Sequence, residues 1–447
     1  DAKRTGQWAS LFGLLFAAVL TSAAPLQAAD GALDPTWGGD GVSQGYPSTI
    51  PWAGAVDDRQ RYLLTGDVGI PDRTEIETLT NINDGGGIWE GCINGVAFLD
   101  NFVLRQAIFD GSNRLLLAGV TTVFGTETVE RAFIARFTAA DPCVFDTSFS
   151  GAGWEIFDAP AFCDTEDCRL VDVAESDDAT TRYVALLESV VNTLRSDYYL
   201  VGLTAAGNLD PNFSTDGFAP VTGPGLGLLA GGGAKLVVDP ANRIYVLHSF
   251  YDPAVALDLD TGITRFQSNG DLDTTYGDSG SNIPATSDSE DTLPRALVIG
   301  HDGRMAFAYY NPTTGSSMLL ALQVATGAGI GFPVAAREVR ALAFDGLGRL
   351  LYTYDLASGD GMGVERQLVN FGSGMPADPS FTPLVLDIDD GGNTAERPVD
   401  IATPAGRPMI LVDVDQVGGG NRATLVRLEN RLIFADGFEW GSPKFWN

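Results

Sequence analysis

Residues 277–280 read Gly-Asp-Ser-Gly, a string that can surround a nucleophilic serine. A serine in that role needs a nearby histidine as its general base. The chain has two histidines, His248 and His301, and neither belongs to a recognisable base motif. We therefore interpret Ser279 as a turn residue, and the sequence predicts no catalytic residue.

Two stretches rich in Asp, Asn and Gly offer the hard oxygen ligands that Ca²⁺ prefers. They span residues 83–87 and 387–393, and the second contains Asp387, Asp389 and Asp390. Neither stretch fits the Asp-x-Asp-x-Asp-Gly loop with its distant Glu, so solvated loops are the simpler interpretation. No cofactor is expected, and calcium at one of the two stretches stays open, with Asp387, Asp389 and Asp390 as the candidate ligands.

The four cysteines are an even number, which favours two disulfides in an exported chain. Cys163 and Cys168 enclose four residues and would close a small loop, which leaves Cys92 and Cys143 to pair by elimination. A zinc site would need Cys-x2-Cys spacing or nearby histidine ligands, and neither accompanies these cysteines in the sequence.

These residues are carried by seven copies of one pattern: an apolar strand, a turn of Asp, Gly, Pro or Asn, an arginine, and a second apolar strand. The turn arginines are Arg61, Arg114, Arg182, Arg243, Arg304, Arg349 and Arg407. Their mean spacing of about 58 residues fits a hairpin with two further strands, the size of one propeller blade. Turns of this composition between apolar runs favour hairpins. We expect each arginine stem to cover apolar surface while its guanidinium reaches water.

A second element, here called the anchor, follows several of the third strands. Its pattern is Leu-Asp-x-x-aromatic-Gly-x-x-Gly, and it occurs at residues 33–41, 145–153, 209–217 and 272–280, with a remnant at 378–381. The Gly-Asp-Ser-Gly string lies inside an anchor, so the repeat explains it without chemistry. Together with the Asp-Gly-x-Arg hairpins, the anchor resembles the delta-60 repeat, a family of bacterial exported repeat proteins thought to form propellers. The resemblance covers about residues 33–428 and implies a fold but no activity.

The repeats predict an all-β chain folded as a single β-propeller of about seven blades over residues 30–430. Six or eight blades stay open because two anchors are missing and one interval between turn arginines is short. The last third strand ends at Leu428 without an anchor, whereas the first anchor begins at Leu33 without a blade before it. An N-terminal strand that completes the last blade and closes the ring would explain both features.

The N-terminus is typical of a secretory signal peptide over residues 1–29, cleaved near Ala28 or Ala29. Lys3 and Arg4 precede an apolar run over residues 11–20, and small residues follow. The run is shorter than the ~20 residues that span a bilayer, so we expect no transmembrane segment after its removal. The predicted location is secreted, periplasmic or at the cell surface.

The C-terminal tail, residues 431–447, falls outside the repeat and contains an Asp-Gly-Phe-Glu string. It resembles a short ending seen on exported proteins of some gammaproteobacteria, which implies a sorting or export element. A final turn with aromatic residues that plug the ring is the alternative.

The 58 acidic and 27 basic residues give a formal net charge of −31, which repels phosphate backbones and excludes nucleic acid as an expected partner. The sequence therefore predicts a non-catalytic extracellular module, a monomer that binds an extracellular protein or a glycan. The alternative is a secreted propeller hydrolase or lyase with a metal or carboxylates at the central channel. Three or more convergent carboxylates, or a histidine at the channel mouth, would favour that alternative.

Overall fold

The computed structural model describes residues 31–429, except residues 36, 38–39, 48–49, 57–61, 68–73, 80–88, 92–101, 125–127, 141–143, 158–162, 164–166, 193–194, 223–228, 252–257, 283–289, 301, 326, 357–360, 389–394, 404–406 and 416–420. Within these ranges the chain forms 28 β-strands and no α-helix. Accordingly, the described residues contain no helix with the length and apolar character needed to cross a membrane.

The strands follow one another at short intervals along the chain. The first fourteen are β1 (Val42–Pro47), β2 (Ile50–Val56), β3 (Tyr62–Asp67), β4 (Thr74–Leu79), β5 (Trp89–Gly91), β6 (Phe102–Phe109), β7 (Leu115–Phe124), β8 (Thr128–Phe137), β9 (Trp154–Phe157), β10 (Asp167–Glu175), β11 (Tyr183–Val190), β12 (Ser196–Leu203), β13 (Phe218–Pro220) and β14 (Leu229–Val238). The others are β15 (Ile244–Tyr251), β16 (Leu259–Phe266), β17 (Ser281–Asn282), β18 (Leu293–Ile299), β19 (Arg304–Asn311), β20 (Ser316–Gln323), β21 (Gly329–Val334), β22 (Glu338–Phe344), β23 (Leu350–Asp355), β24 (Met362–Gln367), β25 (Leu384–Leu386), β26 (Glu396–Ala402), β27 (Met409–Asp415) and β28 (Asn421–Arg427).

The described strands pair into seven antiparallel sheets of four strands each. We number them along the chain: sheet 1 is β2–β5, sheet 2 is β6–β9, sheet 3 is β10–β13, sheet 4 is β14–β17, sheet 5 is β18–β21 and sheet 6 is β22–β25. Sheet 7 has the order β1-β28-β27-β26, so its outer strand comes from the N-terminal part of the chain. The predicted all-β propeller architecture is confirmed.

The N-terminal strand joins sheet 7 through a regular ladder. Val42 of β1 lies opposite Val426 of β28, and an isolated bridge pairs Leu33 with Leu428. The amide of Gly31 donates to the carbonyl of Glu429 at 2.9 Å. Strand β1 and the bridge at Leu33 therefore cover the edge that β28 would otherwise present to solvent.

The sheets pack face to face because their second strands are apolar on both sides. On β11, Tyr183, Ala185 and Leu187 pack with sheet 2, while Val184 and Leu186 pack with sheet 4. This alternation follows from the two-residue period of a strand. No sheet buries both of its faces alone, so each depends on its sequential neighbours.

One edge strand of each sheet lies beside the corresponding strand of the next sheet. In sheet 7 this strand is β26, which also lies against β2. We call these seven strands, β2, β6, β10, β14, β18, β22 and β26, the inner strands. Each has a bulge or register shift near its middle. The residues directly after the shift occupy equivalent positions, and they are Ala53, Gln106, Asp172, Lys235, Ala296, Ala341 and Asp400. A bulge redirects the side chain at its site, so these seven positions form a set that the repeat places together.

Candidate functional site

The anchors build a recurrent arrangement of an arginine, an aspartate and an aromatic ring, here called the anchor box. In sheet 2 the Nε of Arg136 donates to Oδ2 of Asp146 at 2.9 Å, and the guanidinium lies 4.8 Å from the ring centre of Phe149. The same box recurs as Arg265, Asp273 and Tyr276, as Arg366, Asp378 and Phe381, and as Arg427, Asp34 and Trp37. A buried guanidinium needs such a partner, so the anchor aspartates have a structural role.

Sheet 3 has a variant of the anchor box. Gly202 takes the place of the strand arginine, and a side chain there would collide with Phe213. The anchor aspartate, Asp210, instead accepts a hydrogen bond from the hydroxyl of Thr181 at 2.6 Å. The aspartate thus keeps a buried partner even where the arginine is absent.

Three of the described anchors also join their sheet to the next one. The ring of Phe149 in sheet 2 lies against Gly207 in sheet 3, and the ring of Phe213 in sheet 3 lies against Gly270 in sheet 4. Gly31 holds the equivalent place in sheet 7 and contacts Phe381 of sheet 6. Because these glycines precede the next anchor by two residues, the motif extends to Gly-x-Leu-Asp-x-x-aromatic, a feature that sequence reasoning missed.

The hairpin arginines are held more firmly than the sequence suggested. Arg114 donates from Nε to Oδ2 of Asp110 at 2.8 Å, while Oδ1 of Asp110 accepts the amide of Arg114 at 2.9 Å. Arg243 with Asp239, and Arg349 with Asp345, repeat the ion pair at 2.6 Å in each case. The sequence did not predict these ion pairs, which form because the turn aspartate lies four residues before the arginine and binds it. The side chains of Arg114 and Arg243 are still 24% and 30% exposed.

The Asp110 pair also reaches the next sheet. The hydroxyl of Tyr183 in sheet 3 donates to Oδ2 of Asp110 at 2.7 Å. Burial alone would raise the pKa of Asp110, but hydrogen bonds from Arg114 and Tyr183 outweigh it and lower the pKa below its usual value. The carboxylate therefore stays ionised as a link between sheets 2 and 3.

The structure separates the residues of the serine-hydrolase interpretation. Ser279 lies exposed in a turn with a φ of 57°. His248 lies fully buried on β15, where its Nε2 is 2.9 Å from Oγ1 of Thr264, and that hydroxyl is 3.1 Å from Oγ of Ser281. Burial lowers the pKa of His248 to about 4, so the imidazole is neutral at ordinary pH. His301 lies outside the described residues.

The metal and disulfide predictions fall partly on described residues. Cys163 and Cys168 form the predicted disulfide, with their Cα atoms 5.5 Å apart, whereas Cys92 and Cys143 lie outside the described residues. Asp387 is exposed, and Asp389 and Asp390 lie outside the described residues. Among the described side chains, no group of three or more His, Cys, Asp or Glu residues is arranged to hold a metal ion.

The inner strands bring together a group that we call the inner-ring cluster: Gln106, Asp172, Lys235 and Asp400. Asp172 is 3% exposed; its Oδ1 accepts the amide of Val173 at 2.8 Å and its Oδ2 accepts the amide of Leu236 in sheet 4 at 2.7 Å. The side chain of Gln106, in sheet 2, donates a further hydrogen bond to it. Burial raises the pKa of Asp172 against the opposing effects of Lys235 and these donors.

Asp400 is the counterpart of Asp172 in sheet 7. Its Oδ1 accepts the amide of Ile401 at 2.7 Å, and the carboxylate also accepts the amide of Gly54 in sheet 1. Burial raises the pKa of Asp400 to about 6; the charge of Asp172 adds to this rise, while Lys235 opposes it. Asp400 is surrounded by protein but keeps partial contact with solvent.

The inner-ring cluster offers charge but not a set of catalytic groups. It contains two carboxylates and one ammonium, and both carboxylates accept backbone amides of the following sheet. This falls short of the three convergent carboxylates that would favour an enzyme. Sequence reasoning missed the cluster. One signal was available: three of the seven equivalent positions carry alanine, whereas Asp172, Lys235 and Asp400 carry charge.

No protein-family model matches the chain, and no curated protein matches its sequence. Among solved structures, the chain is similar to a protein of unknown function from Dyadobacter fermentans, with 10% identity over 88% of this chain and 100% of that one and a TM-score of 0.44. It is also similar to the polysaccharide lyase Uly1, with 9% identity, coverage of 87% and 98%, and a TM-score of 0.47. The β-propeller domain of the Trilobed protease from Pyrococcus furiosus gives 8% identity, coverage of 87% and 95%, and a TM-score of 0.42. Identities this low transfer no activity to this chain.

Proposed function

We propose that this chain is an exported, non-catalytic binding module that recognises an extracellular protein or a glycan as a monomer. The observation that carries the proposal is that the enclosed charged groups of the described residues serve the structure. The anchor boxes, the hairpin ion pairs and the inner-ring cluster join turns, strands and sheets. In the described part of the chain, the histidine is enclosed in the core and both cysteines form a disulfide, so neither supplies an accessible base or nucleophile.

We further propose that the seven sheets are the blades of one closed ring of the delta-60 repeat type. Three contacts support closure: β1 completes sheet 7, β26 lies against β2, and Asp400 of sheet 7 accepts the amide of Gly54 in sheet 1. The charges of Lys235 in sheet 4 and Asp172 in sheet 3 also affect the pKa of Asp400 in sheet 7. These three residues are distant in sequence, and a closed ring brings their inner strands close together.

Export is proposed on the leader-like residues 1–29 and is supported by the disulfide between Cys163 and Cys168. Residues 431–447 are proposed as a sorting or export element. We also propose that Cys92 and Cys143 form the second disulfide.

A binding and turnover screen tests the function. The purified exported chain is applied to an array of extracellular glycans, and each glycan bound is then incubated with the chain and assayed for product release. We expect retention of a ligand without release of product. Turnover that falls in both Asp172→Asn and Asp400→Asn would instead establish an enzyme that acts at the inner strands, and turnover unaffected by them would establish an enzyme with its site elsewhere.

A further inference from the structure

The charge at the inner strands is distributed unevenly over the seven equivalent positions. Sheets 1, 5 and 6 place alanine there and sheet 2 places Gln106, whereas sheets 3, 4 and 7 place Asp172, Lys235 and Asp400. One ammonium therefore faces two carboxylates that are enclosed by protein. With all three groups ionised the cluster has a net charge of −1, and one bound proton makes it neutral.

The two carboxylates lie where the inner strands of neighbouring sheets meet, and we call such a contact a joint. Asp172 connects β10 to β14 through the amide of Leu236, and Asp400 connects β26 to β2 through the amide of Gly54. The second joint unites the last sheet with the first. At the joint between sheets 5 and 6 the equivalent residues are Ala296 and Ala341, and neither can carry a charge.

We propose that the joint between sheet 7 and sheet 1 is proton-sensitive: a proton bound within the inner-ring cluster favours the closed joint, and its loss favours opening. This inference rests on the closed ring proposed above. When the joint opens, the carboxylate of Asp400 regains water and moves away from Asp172, so the open state binds the proton less tightly. The partial solvent contact of Asp400 gives the proton a route to the cluster.

The direction and size of the effect follow from linkage. Burial raises the pKa of Asp400 to about 6 in the closed state, above the value of 3.8 expected for a hydrated aspartate. The closed joint is therefore most stable below the pKa of the hydrated aspartate, and it loses stability as the pH rises toward the pKa of Asp400 in the closed state. With these two pKa values, the equilibrium constant for opening increases about tenfold between pH 5 and pH 7.5.

Amide hydrogen exchange in the unmodified protein tests the proposal. Exchange at Gly54 is measured at pH 5 and pH 7.5, corrected for the intrinsic rate of the free amide, and compared with exchange at Ser214. Ser214 is the control because its amide donates to the carbonyl of Asn269 in the next sheet at 2.8 Å, so it reports separation of two sheets without a carboxylate acceptor. We expect opening at Gly54 to increase about tenfold and opening at Ser214 to stay unchanged.

Variants then assign the effect to its residue. Asp400→Asn removes the titrating group and should abolish the difference between the two pH values at Gly54. Asp278→Asn, at an exposed turn position, should preserve it. A protected Gly54 whose opening does not change with pH would overturn the proton dependence alone. A Gly54 amide that is unprotected at both pH values would overturn the closed ring, and the joint with it.

Discussion

At the scale of single residues, the enclosed charges of the anchor boxes in the described part of the chain have specific partners. Arg136 is 1% exposed and contacts Asp146, the hydroxyl of Tyr183 and the carbonyl of Ala205. Such a guanidinium joins two sheets through one side chain. Its removal takes the charged donor from the carboxylate of Asp146 and one of two arginine donors from the hydroxyl of Tyr183, so the cost includes more than the lost contacts.

The first prediction concerns Arg136. Arg136→Ala should lower the free energy of unfolding by about 3–5 kcal/mol, the range for breaking a buried ion pair. Denaturant unfolding followed by circular dichroism measures the change. Arg397→Ala is the control, because the side chain of Arg397 is 51% exposed and its removal should cost less than about 1 kcal/mol. Equal costs for the two variants would contradict the structural role of the anchor box.

The second prediction concerns His248. Burial lowers its pKa to about 4 in the folded chain, below the value of 6.5 for a hydrated imidazole, so the unfolded chain takes up a proton first as the pH falls. The stabilising contribution is present above pH 6.5 and is lost as the pH falls toward 4, by up to roughly 3 kcal/mol. The free energy of unfolding of the wild type minus that of His248→Gln should therefore be smaller at pH 4.5 than at pH 7. A difference that does not change would show that the imidazole is not enclosed.

At the scale of elements, the turns carry the connections between sheets. Gly207 has a φ of +80°, and a methyl group added there would lie 2.7 Å from the ring of Phe149 in the preceding sheet. Gly151 has a similar φ of +75°, but the space around it is open. The two glycines share the backbone requirement and differ only in the close approach.

This pair gives the third prediction. Gly151→Ala should cost about 1 kcal/mol for the unfavourable backbone conformation, and Gly207→Ala should cost clearly more because Phe149 must shift. Thermal and denaturant unfolding of the two variants measure the difference. A matching cost would mean that the ring of Phe149 does not depend on a glycine beneath it.

The N-terminal element gives the fourth prediction. Asp34 is 0% exposed and lies 2.9 Å from Arg407 and 2.7 Å from Arg427, and Trp37 is equally buried. Asp34→Asn leaves two guanidinium groups without their carboxylate, so sheet 7 should lose the N-terminal strand more readily. Limited proteolysis should then cut near residues 31–47 faster than in the wild type, whereas Asp40→Asn, at an exposed position, should leave the cleavage rate unchanged. Unaltered cleavage in Asp34→Asn would contradict the role of this ion pair.

At the scale of the whole molecule, most hydrophobic clusters of the described residues are shared between neighbouring sheets. Residues of sheets 3 and 4 form one cluster, and residues of sheets 6 and 7 form another that includes Leu33. Loss of one sheet therefore exposes apolar surface on its neighbours.

The fifth prediction follows from this shared packing. Unfolding should occur in one transition, with coincident curves from circular dichroism and tryptophan fluorescence. Arg136→Ala in sheet 2 and Asp34→Asn in the segment that completes sheet 7 should both shift that single transition. Two separate transitions, each sensitive to one variant, would show that the sheets unfold as independent groups.

Much of the architecture was predictable because it depends on local patterns. Alternating apolar residues specify strands, Asp-Gly and Asp-Pro specify hairpins, and the repeat interval specifies the size of each unit. The disulfide between Cys163 and Cys168 was predictable for the same reason, since four intervening residues keep the two cysteines close. The partners of the hairpin arginines were missed, although Asp110 precedes Arg114 by only four residues, because only the folded turn directs the carboxylate at the guanidinium.

The sequence by itself determined the β-rich repeat, the order of the strands and the residue types of the anchors, since each depends on neighbours a few positions apart. Only the tertiary structure decided which distant residues meet. Asp172, Lys235 and Asp400 come from three inner strands, and nothing in their local sequence indicates that they influence one another. Their encounter depends on the packing of seven sheets, and burial there raises the pKa of Asp400 to about 6 in a way that no segment of the chain could produce alone.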